Sequence, residues 1–107
     1  MVRWAEPERV ELAVREYAEA LRRRDRTVSR VLWYGSWVTG VPTPSSDVDL
    51  CVVLETSDRR PRDRIPEYLP DRFPVGIDLT VLTEEELKIL ADRAPTWYRA
   101  IVGGRAV

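Results

Sequence analysis

The sequence predicts an α/β fold, on three observations. Apolar residues recur with helical period from Pro7 to Arg24. Three apolar runs of strand length follow, Val28–Tyr34, Val48–Leu54 and Val75–Leu82. Directly after the third, Thr83 and Glu86 have the spacing of a capping box that opens another helix.

Each element has a local reason. In the first helix Val10, Ala13, Val14, Tyr17, Ala18 and Leu21 form one stripe, with Glu11, Arg15, Glu19 and Arg22 opposite. Pro7 suits its opening turn, where the N–H that proline lacks has no helical partner anyway. Arg22, Arg23 and Arg24 sit in its last turn, favourably placed against the helix dipole. After the strand Val28–Tyr34, residues Ser36 to Gly40 predict a short helical turn, and Val41 to Ser46 an extended loop held by Pro42 and Pro44. Thr56 to Phe73 contains Pro61, Pro66 and Pro70, which predicts an irregular connection with at most one short helix around Arg62 to Leu69. The capped helix runs to about Ala91, and Pro95 interrupts or restarts it. From Tyr98 to Val107 helix, or helix and then a short edge strand after Gly103-Gly104, are both compatible with the residues. There is no internal repeat and no low-complexity segment.

A chain of 107 residues is expected to be one domain, with room for a modest core but not for an added substrate domain. Charged residues make up 33% yet cancel to a net charge of −1, which argues against direct duplex nucleic-acid binding. Sixteen of the 17 basic residues are arginine, a weak sign of a heat-adapted or GC-rich source. Cys51 stands alone, excluding an internal disulfide and any multi-cysteine zinc site. No run has signal-peptide character or the ~20 apolar residues of a membrane span. A cytoplasmic, membrane-free protein is the expectation.

The chemistry concentrates between Tyr34 and Leu50. Gly35-Ser36 closes an apolar strand where a short helix begins, a place at which backbone N–H groups cradle phosphate oxygens. Ten residues later stands Asp47-Val48-Asp49. Strand geometry puts the two carboxylates on one face, about 6.6 Å apart at ~3.3 Å per residue. Such a pair can hold two divalent cations roughly 3.5–4 Å apart.

Strand parity extends this reading. Val48, Leu50, Val52, Leu54, Ile77, Leu79 and Val81 share one apolar face, whereas Asp47, Asp49, Cys51, Asp78 and Thr80 share the other, giving a core side and a chemistry side. If the second and third strands are neighbours, Asp78 comes within reach of Asp49 at a spacing of ~4.8 Å. Two unit charges at 4 Å repel by ~4 kcal/mol at an effective dielectric near 20, so either a cation offsets the group or one carboxylate keeps its proton.

Gly35-Ser36, then Asp47-x-Asp49, then Asp78 within an apolar strand resembles the nucleotidyltransferase superfamily that includes DNA polymerase β, and in particular its minimal stand-alone MNT members. The resemblance spans roughly residues 8 to 90. It implies the nucleotidyltransferase fold, a mixed three- to four-stranded sheet with helices on one face. It also implies Mg²⁺, two ions, and transfer of AMP from ATP with release of pyrophosphate. Gly35 and Ser36 would contact the triphosphate, Asp47 and Asp49 would hold the two metals, and Asp78 would complete the metal that activates the acceptor hydroxyl. Trp37 and Thr39 stand where minimal members often carry arginines. Relatives of this size are frequently antitoxins that add AMP to a tyrosine of a helical HEPN toxin, which implies such a partner here. Two other readings stay open: a non-catalytic antitoxin that acts by complex formation, and a transferase acting on a small hydroxylated molecule. Self-association is equally left open.

Other residues have plainer readings beside functional ones. Trp37 suits stacking on a base or packing on the first helix. Gly40 reads as a turn residue and Cys51 as a buried filler. Arg59, Arg60, Arg62 and Arg64 read as a solvated loop, with contact to a triphosphate or an acidic partner as the functional alternative. Trp4, Trp97 and Tyr98 suit either a partner-facing patch or the core.

Overall fold

A computed structural model describes residues 6–40 and 47–107. The order is α1 (Pro7–Arg24), β1 (Val28–Tyr34), α2 (Ser36–Thr39), β2 (Val48–Leu54), α3 (Pro61–Tyr68), β3 (Ile77–Thr83), α4 (Glu84–Arg93), α5 (Pro95–Val102) and β4 (Arg105–Ala106). The expected loop Val41–Ser46, and Trp4 with its suggested surface role, lie outside the described residues.

The four strands form one mixed sheet in the order β3-β2-β1-β4. β1 runs antiparallel to β2 and to β4, while β2 and β3 are parallel. Parallel neighbours need a crossover, and the proline-rich segment supplies one through α3. Pro61 occupies the first turn of α3, where no backbone N–H is missed. That helix is better ordered than its prolines suggest, because Arg64, only 2% exposed, ties it to β3. The Arg64 guanidinium donates to the Val81 carbonyl at 3.1 Å, to Glu86 Oε1 at 2.6 Å and to the Arg59 carbonyl. The expectation of a solvated arginine loop fails at this residue. Arg59 and Arg60 pair at the surface with Glu67 and Asp63.

The capping box forms as its spacing predicts. Thr83 Oγ1 accepts the Glu86 N–H at 3.1 Å, and Glu86 Oε1 accepts the Thr83 N–H at 2.8 Å. Glu86 thus starts α4 and anchors α3 together. β3 begins at Ile77 rather than Val75, although the Gly76 carbonyl already accepts the Val48 N–H at 2.8 Å. The open choice at the end of the chain resolves as helix followed by edge strand, with Ala106 opposite Leu32 and Arg105 opposite Trp33.

One layer of core lies between the sheet and α1 with α3. Val10, Val14, Ala18 and Leu21 of α1 meet Val31 and Trp33, Val48, Leu50, Val52 and Leu54, and Leu79 and Val81, with Tyr68 from α3. Full burial of a valine or leucine side chain is worth ~1.5–3 kcal/mol, so this stripe fixes α1 on the sheet. The other face is covered too: Leu32, Tyr34, Cys51, Val53 and Leu82 pack against Leu87 of α4 and Ile101 of α5. Helices on one face, as the resemblance implied, is therefore corrected to helices on both. The physical reason is that Val53 and Leu82 share strand parity with the aspartates and still need cover. The end of this second face that carries Asp49 and Asp78 remains polar, and at the opposite end Arg30 pairs with Glu84 at 2.8 Å. Among the described residues no helix is long and apolar enough to cross a membrane.

Candidate active site

β1 delivers its last residue, Tyr34, opposite Asp49 of β2. The chain then turns at Gly35, whose φ of 87° and ψ of −161° lie in a region populated almost only by glycine. The turn is tied from within: the Val38 and Thr39 N–H groups and the Thr39 hydroxyl all donate to the Gly35 carbonyl. Ser36 stands exposed at the opening of α2.

Gly35 has a second reason to be glycine. A Cβ there would sit 2.0 Å from Oδ2 of Asp49, so the missing side chain is the space that this carboxylate occupies. The sequence offers a phosphate contact for Gly35; the structure adds close packing on an acidic side chain. Gly76, which the sequence reading passed over as a strand residue, does the same for Asp47, since a Cβ on it would meet Oδ1 at 2.2 Å. An isolated glycine at the start of a strand pattern is a recognised sign of close approach, and that signal was present.

The parallel ladder pairs Asp49 directly with Asp78. Asp47 stands immediately before β2, close enough for its charge to act on Asp49. Asp47 and Asp78 are exposed and Asp49 is half-buried. The Asp49 carboxyl is held above its ordinary value of 3.8, first because burial penalises its charge, then because Asp78 and Asp47 repel it. Asp78 and Asp47 therefore both act on Asp49. Among the described residues none of them has an ion-pair partner, and no three acidic, histidine or cysteine side chains close into a preformed metal cage.

Tyr34 forms the wall beside Asp49. Its hydroxyl accepts the Trp97 indole N–H at 3.4 Å, and burial, reinforced by the Asp49 charge, pushes its pKa up. Trp97 is 40% exposed, whereas Tyr98 packs into the second-face core. Trp37 packs with the first-face core that includes α1, in line with the plainer of its two readings. Cys51 is fully buried and its thiol is pushed up to about 12, as suits a filler.

The family model for the nucleotidyltransferase domain matches residues 14–100, which takes in β1, the Gly35-Ser36 turn and all three aspartates. The chain belongs to the nucleotidyltransferase domain family. A crystal structure described as a candidate nucleotidyltransferase from Sulfolobus solfataricus matches this nucleotidyltransferase domain with a TM-score of 0.62 at 21% identity, over 78% of this chain and 75% of that one. At that identity the likeness speaks for the fold. Among curated proteins no match is found. The resemblance read from Gly35-Ser36, Asp47-x-Asp49 and Asp78 thus holds at the level of family and fold, and general nucleotidyl transfer follows from the family.

Proposed function

We propose that the chain is an Mg²⁺-dependent nucleotidyltransferase that moves AMP from ATP to a hydroxyl of a partner protein, with a tyrosine of a HEPN-type toxin as the acceptor. The observation that carries this reading is the pairing of Asp49 with Asp78 on one ladder position beside Gly35.

The donor set fits a hard divalent cation. All donors are carboxylate oxygens, the ligand type that Mg²⁺ selects, and Mg²⁺ usually adds substrate phosphate oxygens and water to a few such groups. The raised Asp49 carboxyl supports the same view, because a nearby dication would offset first the burial of its charge and then the repulsion by Asp78 and Asp47. Asp47 and Asp49 would hold two ions, and Asp78 would share one of them. When bound, the ions would supply charge stabilisation at the attacking and leaving oxygens.

The remaining steps fall to the chain. Ser36 and the backbone after Gly35 orient the triphosphate. The acceptor oxygen attacks the α-phosphorus, its bond to that phosphorus forms as the bond to the bridging oxygen of the β-phosphate breaks, and pyrophosphate departs with the electron pair. Asp78, exposed beside Asp49, takes the proton of the hydroxyl. Tyr34 and Trp97 wall the site on the β1 side.

The test is to co-express the chain with the product of its neighbouring gene, purify the pair, and weigh the partner with and without ATP and Mg²⁺. A gain of one or more AMP units is expected, and Asp47→Asn or Asp78→Asn should abolish it. Transfer that survives both substitutions would refute the site assignment. A partner that is bound and silenced but never gains mass would turn the reading into one of neutralisation by complex formation.

A further inference from the structure

We infer that Gly76 is a positioning residue for metal binding: the absence of its side chain fixes where the Asp47 carboxylate can stand. This rests on the reading of Asp47 as a metal ligand. The three nearest atoms to a Cβ built on Gly76 all belong to Asp47, Oδ1 at 2.2 Å, Cγ at 3.0 Å and Oδ2 at 3.6 Å. Gly35 is the single described glycine with positive φ, so the backbone at residue 76 does not itself demand glycine. What the missing methyl accommodates is the carboxylate.

Residue 76 is also not free to retreat. Its carbonyl accepts the Val48 N–H at 2.8 Å, which ties it to the residue that follows Asp47. Asp47 is exposed and, among the described residues, has no cation to hold it, so close packing on Gly76 is the contact that limits its rotamers. A methyl at 76 would turn the short Asp47 side chain about its first torsion and out of the place it now holds. Such a turn relieves the collision at little cost to the fold, yet it displaces one ligand of a set that must act together. The expected pattern is therefore weak cation binding in a chain of nearly normal stability.

The experiment titrates Mn²⁺ by electron paramagnetic resonance with α,β-methylene ATP present, in the wild type, Gly76→Ala, Asp47→Asn, Asp47→Ala and the double variant Asp47→Ala/Gly76→Ala. Loss of an outer contact that orients a metal ligand typically weakens affinity about 10- to 100-fold. A loss of that size is expected for Gly76→Ala, and no further loss on adding it to Asp47→Ala, because the atoms it would strike are gone. Wild-type affinity in Gly76→Ala beside weakened Asp47→Asn overturns the role of Gly76 and leaves the metal reading standing. Unchanged affinity in Asp47→Asn overturns the metal reading and this inference with it. Additive losses in the double variant also overturn the inference. Should Gly76→Ala fail to fold, thermal melting of the double variant decides: a folded double variant upholds the contact with Asp47, and an unfolded one refutes it.

Discussion

Replacing Gly35 by alanine tests the turn and the site at once. The φ of 87° with ψ of −161° is a conformation that costs a residue with a side chain about 1–3 kcal/mol. At roughly 5 °C per kcal/mol for a domain of this size, the melting midpoint should fall by about 5–15 °C. The new methyl would also lie 2.0 Å from the Asp49 carboxylate, where ordinary contact begins at 3.4 Å. Asp49 must then withdraw by more than about 1 Å, and misplacement on that scale costs on the order of a hundredfold in rate. Circular dichroism melts and pyrophosphate release from ATP with the co-purified partner read the two effects separately. Gly40→Ala is the matched control, since among the described residues the one contact its Cβ would make is at 3.6 Å and its φ of −140° suits any residue. It should leave both readings near wild type. A Gly35→Ala variant that melts with the wild type and turns over at its rate would refute the packing of Gly35 on Asp49.

Three further outcomes are expected. Without metal, Asp49→Asn should be more stable than the wild type at neutral pH, by up to about 1 kcal/mol after solvent screening, and inactive. Because the folded-state value is raised, the native chain binds more protons than the unfolded one above the ordinary 3.8, and stability drains away as pH climbs through that window; melts in EDTA should converge in acid, and a variant less stable than the wild type at neutral pH would contradict the crowding. Arg64→Met should cost ~3 kcal/mol in urea denaturation, because it strands Glu86 and frees α3 from β3, while transfer per folded molecule stays near normal; a loss under 1 kcal/mol would contradict the anchor. Cys51 should resist a thiol reagent in the native protein and react on unfolding, since burial pushes its thiol up to about 12; rapid native reaction would show that the second face opens.

Much of this was legible because local rules and tertiary demands agree. The α1 stripe needs one face buried and the sheet supplies it, so Pro7 to Arg24 is read to the residue. Val28–Tyr34 and Val48–Leu54 are likewise read to the residue. The pairing of Asp49 with Asp78 followed from strand parity plus one assumption, that β2 and β3 are neighbours, which holds. What escaped depended on contacts distant in sequence. Arg64 looked like one more surface arginine, because only the approach of Val81 and Glu86 makes its burial tolerable. The cover over Cys51 and Val53 comes from α4 and α5, whose docking side no local pattern states. Gly76 carried a sign of close approach, but what approaches it, Asp47, is 29 positions away just before β2, so its role shows only in the fold.

Asp49 and Asp78 occupy the same rung of a parallel ladder. Strand side chains alternate, so a slip of β3 by one residue would send Asp78 beneath the sheet and lift Leu79 into water. The misaligned chain would be destabilised by the same displacement that parts the two carboxylates. Molecules that have zipped up correctly therefore all carry the acidic pair side by side, so the register that completes the core also sets the spacing of the two carboxylates.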